Sequence, residues 1–275
     1  MRSWTRSVMN IRRRVLFGAV CAVAVLIGAC ATSPLGRNQL ILLPAAQMDQ
    51  MGITAYQQMK SEQPLNQDGV TNNYVLCVAN ALLATMDNNP GNWEVTVFMD
   101  DSANAFALPG GKIGVNSGLL KVARSQDQLA AVIGHEIGHV IAQHSNERMS
   151  IQYATQTGMQ MLQALSGEAS AEKQQLFALL GLGSQVGIAL PFSRKHEAEA
   201  DLIGLQLMAK AGFDPRQSVT LWQNIAAANG SGGLEFLSTH PANDTRINGL
   251  QANMDEALAL YEQARNAGRV PRCQP

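Results

Sequence analysis

The segment His135-Glu136-Ile137-Gly138-His139 carries the clearest chemical signal in the sequence. On a helix, residues four apart share a face, so the two imidazoles can converge on one Zn²⁺. Glu136 is rotated by about 100 degrees from His135. Its carboxylate can therefore reach the attacking water rather than the metal, take a proton from it, and later return that proton to the leaving amine. A chance match on an ordinary helix is the competing reading. It is disfavoured because the apolar neighbours Ile133, Ile137 and Val140 would make unpaired His and Glu side chains costly to bury.

Two histidines leave a catalytic zinc one protein ligand short. His144 points about 180 degrees from His135 if the helix continues, which makes it a surface histidine or a support placed behind the ligands. The stretch Val140-Ile141-Ala142-Gln143 has no glycine to turn the chain towards a third histidine, which argues against a metzincin arrangement. The better source is the acidic cluster of Ser193-Arg194-Lys195-His196-Glu197-Ala198-Glu199-Ala200-Asp201. Glu197 and Asp201 share one helical face, so the first can bind zinc while the second orients a histidine and fixes its tautomer. Glu199 points the other way, although spacing alone leaves it open as a ligand, and a solvated charged helix start is the bland alternative for the cluster.

These residues need elements to hold them. Helical spacing predicts a helix from Pro44 to about Lys60 and a second from about Thr71 to Met86. Trp93 to Met99 alternates as a strand, and Ala105 to Leu108 and Lys112 to Val115 flank the turn Pro109-Gly110-Gly111. Ser125 with Gln128 three residues on opens the helix that carries the histidines. The apolar, glycine-rich stretch from Gln175 to Phe192 is expected as a buried helix or a flap rather than a membrane segment, because Gln185 and three glycines interrupt it. A helix from Ser193 to Lys210 stops at Gly212, Asp214-Pro215 opens another, and a last one runs from near Asp244 to Gly268. The expected fold is mainly α with a small β-sheet (α+β), in one domain.

Five of the 20 basic residues (Arg2, Arg6, Arg12, Arg13 and Arg14) precede residue 30, leaving 15 against all 21 acidic ones. That mildly acidic remainder has no basic face for nucleic acid. The basic start, the apolar run from Val15 to Ile27 and the small residues before Cys30 have the layout of a secretory signal. Ile27-Gly28-Ala29-Cys30 resembles a bacterial lipobox, which implies lipid attachment at Cys30. Ala31 in place of Asp leans towards a periplasm-facing lipoprotein of the Gram-negative outer membrane. An uncleaved signal anchor is the alternative. The expected layout is signal 1–29, tether 30–43, catalytic domain 44–268 and tail 269–275. In an oxidising compartment Cys77 and Cys273 could be bridged, or could remain two thiols.

Taken together, the histidine motif, Ser193-Arg194 and Glu197-Ala198-Glu199-Ala200-Asp201 resemble metallopeptidase family 48, of the gluzincin class, with a likeness from about Leu40 to Leu250. The resemblance implies a zincin-like domain with one zinc on His135, His139 and Glu197, base catalysis by Glu136, and Asp201 behind the ligands. It implies that Asn104-Ala105-Phe106-Ala107 is the edge strand beside the active-site helix, binding extended substrate by strand addition. Ser238-Thr239-His240-Pro241 resembles a later signature, and in one branch of the family a matching histidine fills the open zinc position and keeps the enzyme latent. Oxyanion stabilisation by His240 or Arg246 is the competing role, and a plain loop histidine the third reading. The implied substrates are misfolded or stalled periplasmic and outer-membrane proteins, with the membrane reached through the lipid anchor. Some members carry a C-terminal repeat domain for client recognition. This sequence stops short of one, so docking to the outer-membrane assembly machinery is the weaker expectation. A chaperone-like assembly factor that rarely cleaves is the rival from another class.

Overall fold

A computed structural model describes residues 30–86, 92–164, 193–228, 239–240 and 244–274. The signal region, the exit turn expected near Asn88 to Asn92 except its last residue, and the whole Gln175 to Phe192 stretch lie outside the described residues, as do Ser238 and Pro241.

The chain begins with a hairpin, β1 (Cys30–Thr32) and β2 (Asn38–Leu40), paired antiparallel with Ala31 opposite Gln39. This is the segment read from sequence as a tether. Its turn places Gly36 at φ +84, which glycine tolerates without a Cβ clash. Helix α1 (Ala45–Glu62) buries Met48, Gly52, Ala55 and Tyr56. Gly52 is required there, because a Cβ would lie 2.1 Å from the Pro109 carbonyl oxygen. Helix α2 (Gly69–Leu83) starts at Asp68, whose carboxylate accepts from the Val70 and Thr71 amides and satisfies two unpaired donors of the first turn.

The main sheet has three strands, β3 (Glu94–Phe98), β4 (Ala105–Leu108) and β5 (Lys112–Asn116), in the order β3-β5-β4. β5 is parallel to β3 and antiparallel to β4, and Gly110 and Gly111, both at positive φ, turn β4 into β5. Within this sheet β4 is therefore an edge strand.

Helix α3 (Gln126–Ile141) is capped by the Ser125 hydroxyl, which accepts from the Gln128 amide, and every residue from Gln128 to His139 is buried. A helix enclosed on all sides can carry His, Glu and His only if each has partners. The continuous helix assumed for His144 is broken: Gln143 takes φ +52, and a separate helix, α4 (His144–Ala164), starts after it. Helix α5 (Arg194–Ala211) is capped by Ser193 and closed by Gly212 at φ +89. The final periodicity divides into α7 (Asp244–Ala252) and α8 (Met254–Asn266), preceded by α6 (Arg216–Ala228). The expected single last helix is interrupted at Asn253, whose side-chain amide donates to the Gly249 carbonyl and competes with the helix's own pattern.

The α3–α5 crossing sets the distance between the motifs. Gly134 and Gly138 of α3 face Gly204 and Ala200 of α5, and a Cβ on Gly204 would come within 2.7 Å of the His135 backbone nitrogen. Only small residues at these four positions allow the backbones so close, and the approach brings Glu197 to the histidines. Cys77 of α2 and Cys273 of the tail are joined by a disulfide with Cα atoms 5.7 Å apart. The tail is further held by Gln126, which accepts from the Cys273 amide and donates to the Pro271 carbonyl.

Candidate metal centre

His135, His139, Glu197 and His240 converge, each offering one ligand atom, with all four atoms within 4.8 Å of one another and all four residues buried. His135 Nε2 lies 3.1 Å from His139 Nε2 and 3.3 Å from His240 Nδ1. Glu197 Oε1 is 3.1 Å from His240 Nδ1 and 3.4 Å from His139 Nε2. Helix α3 contributes the first two of these side chains, α5 the carboxylate, and the segment before α7 the last.

The donor set fits zinc on its own chemistry. His135 Nδ1 is 2.9 Å from Asp201 Oδ1, so that nitrogen carries the proton and Nε2 presents its lone pair to the cluster. Lone pairs on two imidazoles 3.1 Å apart repel unless a cation lies between them. Two Zn–N bonds at a tetrahedral angle place the nitrogens about 3.3 Å apart, close to that spacing. Glu136 Oε1 is a buried oxygen without a hydrogen-bond partner among the described residues, and Glu197 Oε2 is buried with only ion-pair contacts, to Arg246 and His135. A water is the partner that the Glu136 oxygen calls for.

The charges are arranged to match. Burial holds His139 well below its ordinary value, so its ring is neutral and able to ligate. Burial would raise Glu197, but His240, His135 and His139 outweigh it and keep the carboxylate ionised. Glu136 is raised by its burial, with the His240 and His135 imidazoles opposing. The Ala107 backbone of β4 hydrogen-bonds the Glu136 carboxylate, tying the edge strand to the candidate base. Ala105, Phe106 and Ala107 lie on β4, and Asn104 precedes it, accepting from the Asn116 amide.

Arg246 is buried and faces Asp201 and Glu197. Its Nε and Nη2 donate to the two Asp201 oxygens at 2.7 and 2.6 Å, and Nη1 lies 2.8 Å from Glu197 Oε2. The guanidinium carbon stacks 3.6 Å above the Trp222 ring. These contacts turn the guanidinium towards the two carboxylates, Asp201 and Glu197.

Three features escape sequence reasoning. His144 is fully buried and its Nδ1 faces His139 Nδ1 at 2.9 Å, which removes the surface reading and leaves the supporting one. Glu199 is also buried, and contacts His144 and Arg37 rather than the cluster. Trp222 supports Arg246. The four-residue spacing of Gly134 with Gly138 was the one signal in the sequence for the tight crossing.

The model of "Peptidase family M48" matches residues 70–254. Among curated proteins, a mitochondrial metalloendopeptidase OMA1 of Schizosaccharomyces pombe is 39% identical over 191 residues, covering 69% of this chain and 55% of that protein. The OMA1 metalloendopeptidase of Arabidopsis thaliana is 40% identical over 181 residues, covering 65% and 35% respectively. The beta-barrel assembly-enhancing protease of Escherichia coli is 29% identical over 211 residues, covering 74% and 43%. The matched region thus spans between 35% and 55% of these relatives' lengths. With a mainly helical zincin-like domain and a cluster suited to one zinc ion, the chain belongs to peptidase family M48.

Proposed function

We propose that the chain is a zinc-dependent endopeptidase cleaving extended segments of unfolded or misassembled cell-envelope proteins. The observation that carries this reading is the buried Glu136 Oε1, without a hydrogen-bond partner among the described residues, beside the His135, His139 and Glu197 cluster, with its carboxylate tied to edge strand β4. When bound, zinc supplies a Lewis acid that polarises the scissile carbonyl and lowers the pKa of the attacking water. A substrate strand added to β4 places its backbone alongside Glu136 and reads main chain more than sequence. Glu136 takes the water's proton and delivers it to the leaving nitrogen. Asp201 and Arg246 keep His135 in the ligating tautomer while this happens.

His240 is read as a latch. Its Nδ1 sits 3.1 Å from Glu197 Oε1 and 3.3 Å from His135 Nε2, where a fourth ligand would sit, and its Nε2 lies 3.5 Å from Glu136 Oε1. That placement competes with water and substrate, and it also favours the second reading, a chaperone-like assembly factor whose site stays closed. Lipid attachment at Cys30, with an outer-membrane, periplasm-facing location, is proposed from the N-terminal sequence. No helix among the described residues is long and apolar enough to cross a membrane. One relative's name ties it to β-barrel assembly, which is why envelope proteins are the proposed clients. The mitochondrial relatives share the peptidase family and not that setting.

Casein cleavage by the full chain purified in detergent, with metal content determined, tests the reading. Cleavage by wild type or His240→Ala that vanishes in Glu136→Gln supports the peptidase. Bound zinc without cleavage in any of the three favours the assembly factor.

A further inference from the structure

We infer that Arg37, on the N-terminal hairpin, is a positioning residue for the zinc site, acting on His139 through Glu199 and His144. The proposal rests on the zinc reading of the cluster. His139 Nδ1 and His144 Nδ1 face each other at 2.9 Å, so one donates and the other accepts. The far side of His144 decides which. Its Nε2 lies 3.1 Å from Glu199 Oε2, and a carboxylate held by a guanidinium only accepts, so the His144 proton sits on Nε2. His144 Nδ1 is then the acceptor, His139 carries its proton on Nδ1, and the His139 Nε2 lone pair is left for the metal.

Arg37 locks this line at its outer end. Its Nε donates to Glu199 Oε2 at 2.8 Å, while Nη1 and Nη2 each reach a Glu147 oxygen at 2.6 Å. The same guanidinium therefore holds two buried carboxylates from different helices, Glu147 of α4 and Glu199 of α5. Gln39 of β2 bonds the Ala142 carbonyl at 2.6 Å and Glu147 at 2.9 Å, clamping the bend between α3 and α4. His196 completes the packing, with its ring stacked on His144 and its Nε2 3.1 Å from Glu147. Without Arg37 two neighbouring buried carboxylates lose their shared cation, and Glu199 keeps from the hairpin only the neutral hydrogen bond of Ser33. The hairpin that starts at Cys30 is by this account part of the metal site.

The test is zinc release from the full chain in detergent to excess pyridylazoresorcinol, read alongside the apo melting temperature and the visible spectrum of the Co²⁺ form. His144→Phe and Glu199→Ala are expected to release zinc roughly 10- to 100-fold faster, with a changed Co²⁺ spectrum. Arg37→Ala should accelerate release several-fold, and Glu199→Gln, which keeps an acceptor for His144, should lie between wild type and Glu199→Ala. A lower melting temperature with a wild-type release rate and spectrum in either Arg37→Ala or Glu199→Ala would overturn the proposal. Should Arg37→Ala not fold, wild-type release by Glu199→Ala overturns it alone, and release slowed as expected in Glu199→Gln relative to Glu199→Ala upholds it. A wild type without zinc would refute the metal site itself, a separate result.

Discussion

His135 and His139 are four residues apart on one helix, yet opposite ends of the chain hold them, by different means. Behind His135 stands a carboxylate locked by a two-pronged guanidinium that is itself stacked on Trp222, all of it buried. Behind His139 stands a second imidazole, then a carboxylate, then Arg37, whose side chain keeps 24% of its exposure. The first support has one link between histidine and carboxylate and the second has two. A direct carboxylate tolerates little displacement, whereas a relay through a neutral ring ends at the surface and depends on a hairpin arriving from outside the helical core. Loss of the inner support should therefore cost more than loss of the outer one.

Arg246→Ala should be the most damaging change on the His135 side. It strands Asp201 in the core, and breaking such a buried pair costs about 3–5 kcal/mol, measurable by urea unfolding, with zinc content falling in parallel. Reducing the Cys77–Cys273 bridge should lower global stability by roughly 2–5 kcal/mol, since it frees the long loop between them. Zinc release from the folded fraction should stay unchanged, because the bridge contacts neither support. Gly204→Ala pushes against the His135 backbone, so overpacking should cost about 1–3 kcal/mol and loosen both histidines together. It would sharpen the comparison by showing what a shared disturbance looks like. Arg37→Ala should be mildest in stability, about 1–2 kcal/mol in a melt, since the guanidinium is partly exposed although its two carboxylate partners are buried.

The same comparison shows what a sequence can reveal. His135, Glu136 and His139 are legible because helical geometry alone brings i and i+4 together, and Asp201 is legible from its spacing to Glu197 for the same reason. Arg37 is not, since it lies 110 residues from Glu147 and 162 from Glu199, and only the folded chain joins them. His144 was placed by assuming that α3 continues. The left-handed turn falls on Gln143, a residue type that gives no warning of it. The strands β3 to β5 and the caps at Ser125, Ser193 and Gly212 follow from local chemistry and sit where their residues predict. The β1–β2 hairpin did not, because three-residue strands are too short to show alternation and are stabilised by what they dock against.

The central claim is that one zinc and Glu136 form a hydrolytic centre behind edge strand β4. It is tested most directly by comparing Glu136→Gln with wild type and His240→Ala, with zinc content and cleavage of an unfolded protein measured on the same samples. The account predicts one zinc per chain in all three, cleavage in wild type or in His240→Ala, and loss of cleavage of at least about a thousandfold, or some 4 kcal/mol of barrier, in Glu136→Gln. Cleavage that survives in Glu136→Gln at a wild-type rate, or protein that holds no zinc, would contradict it.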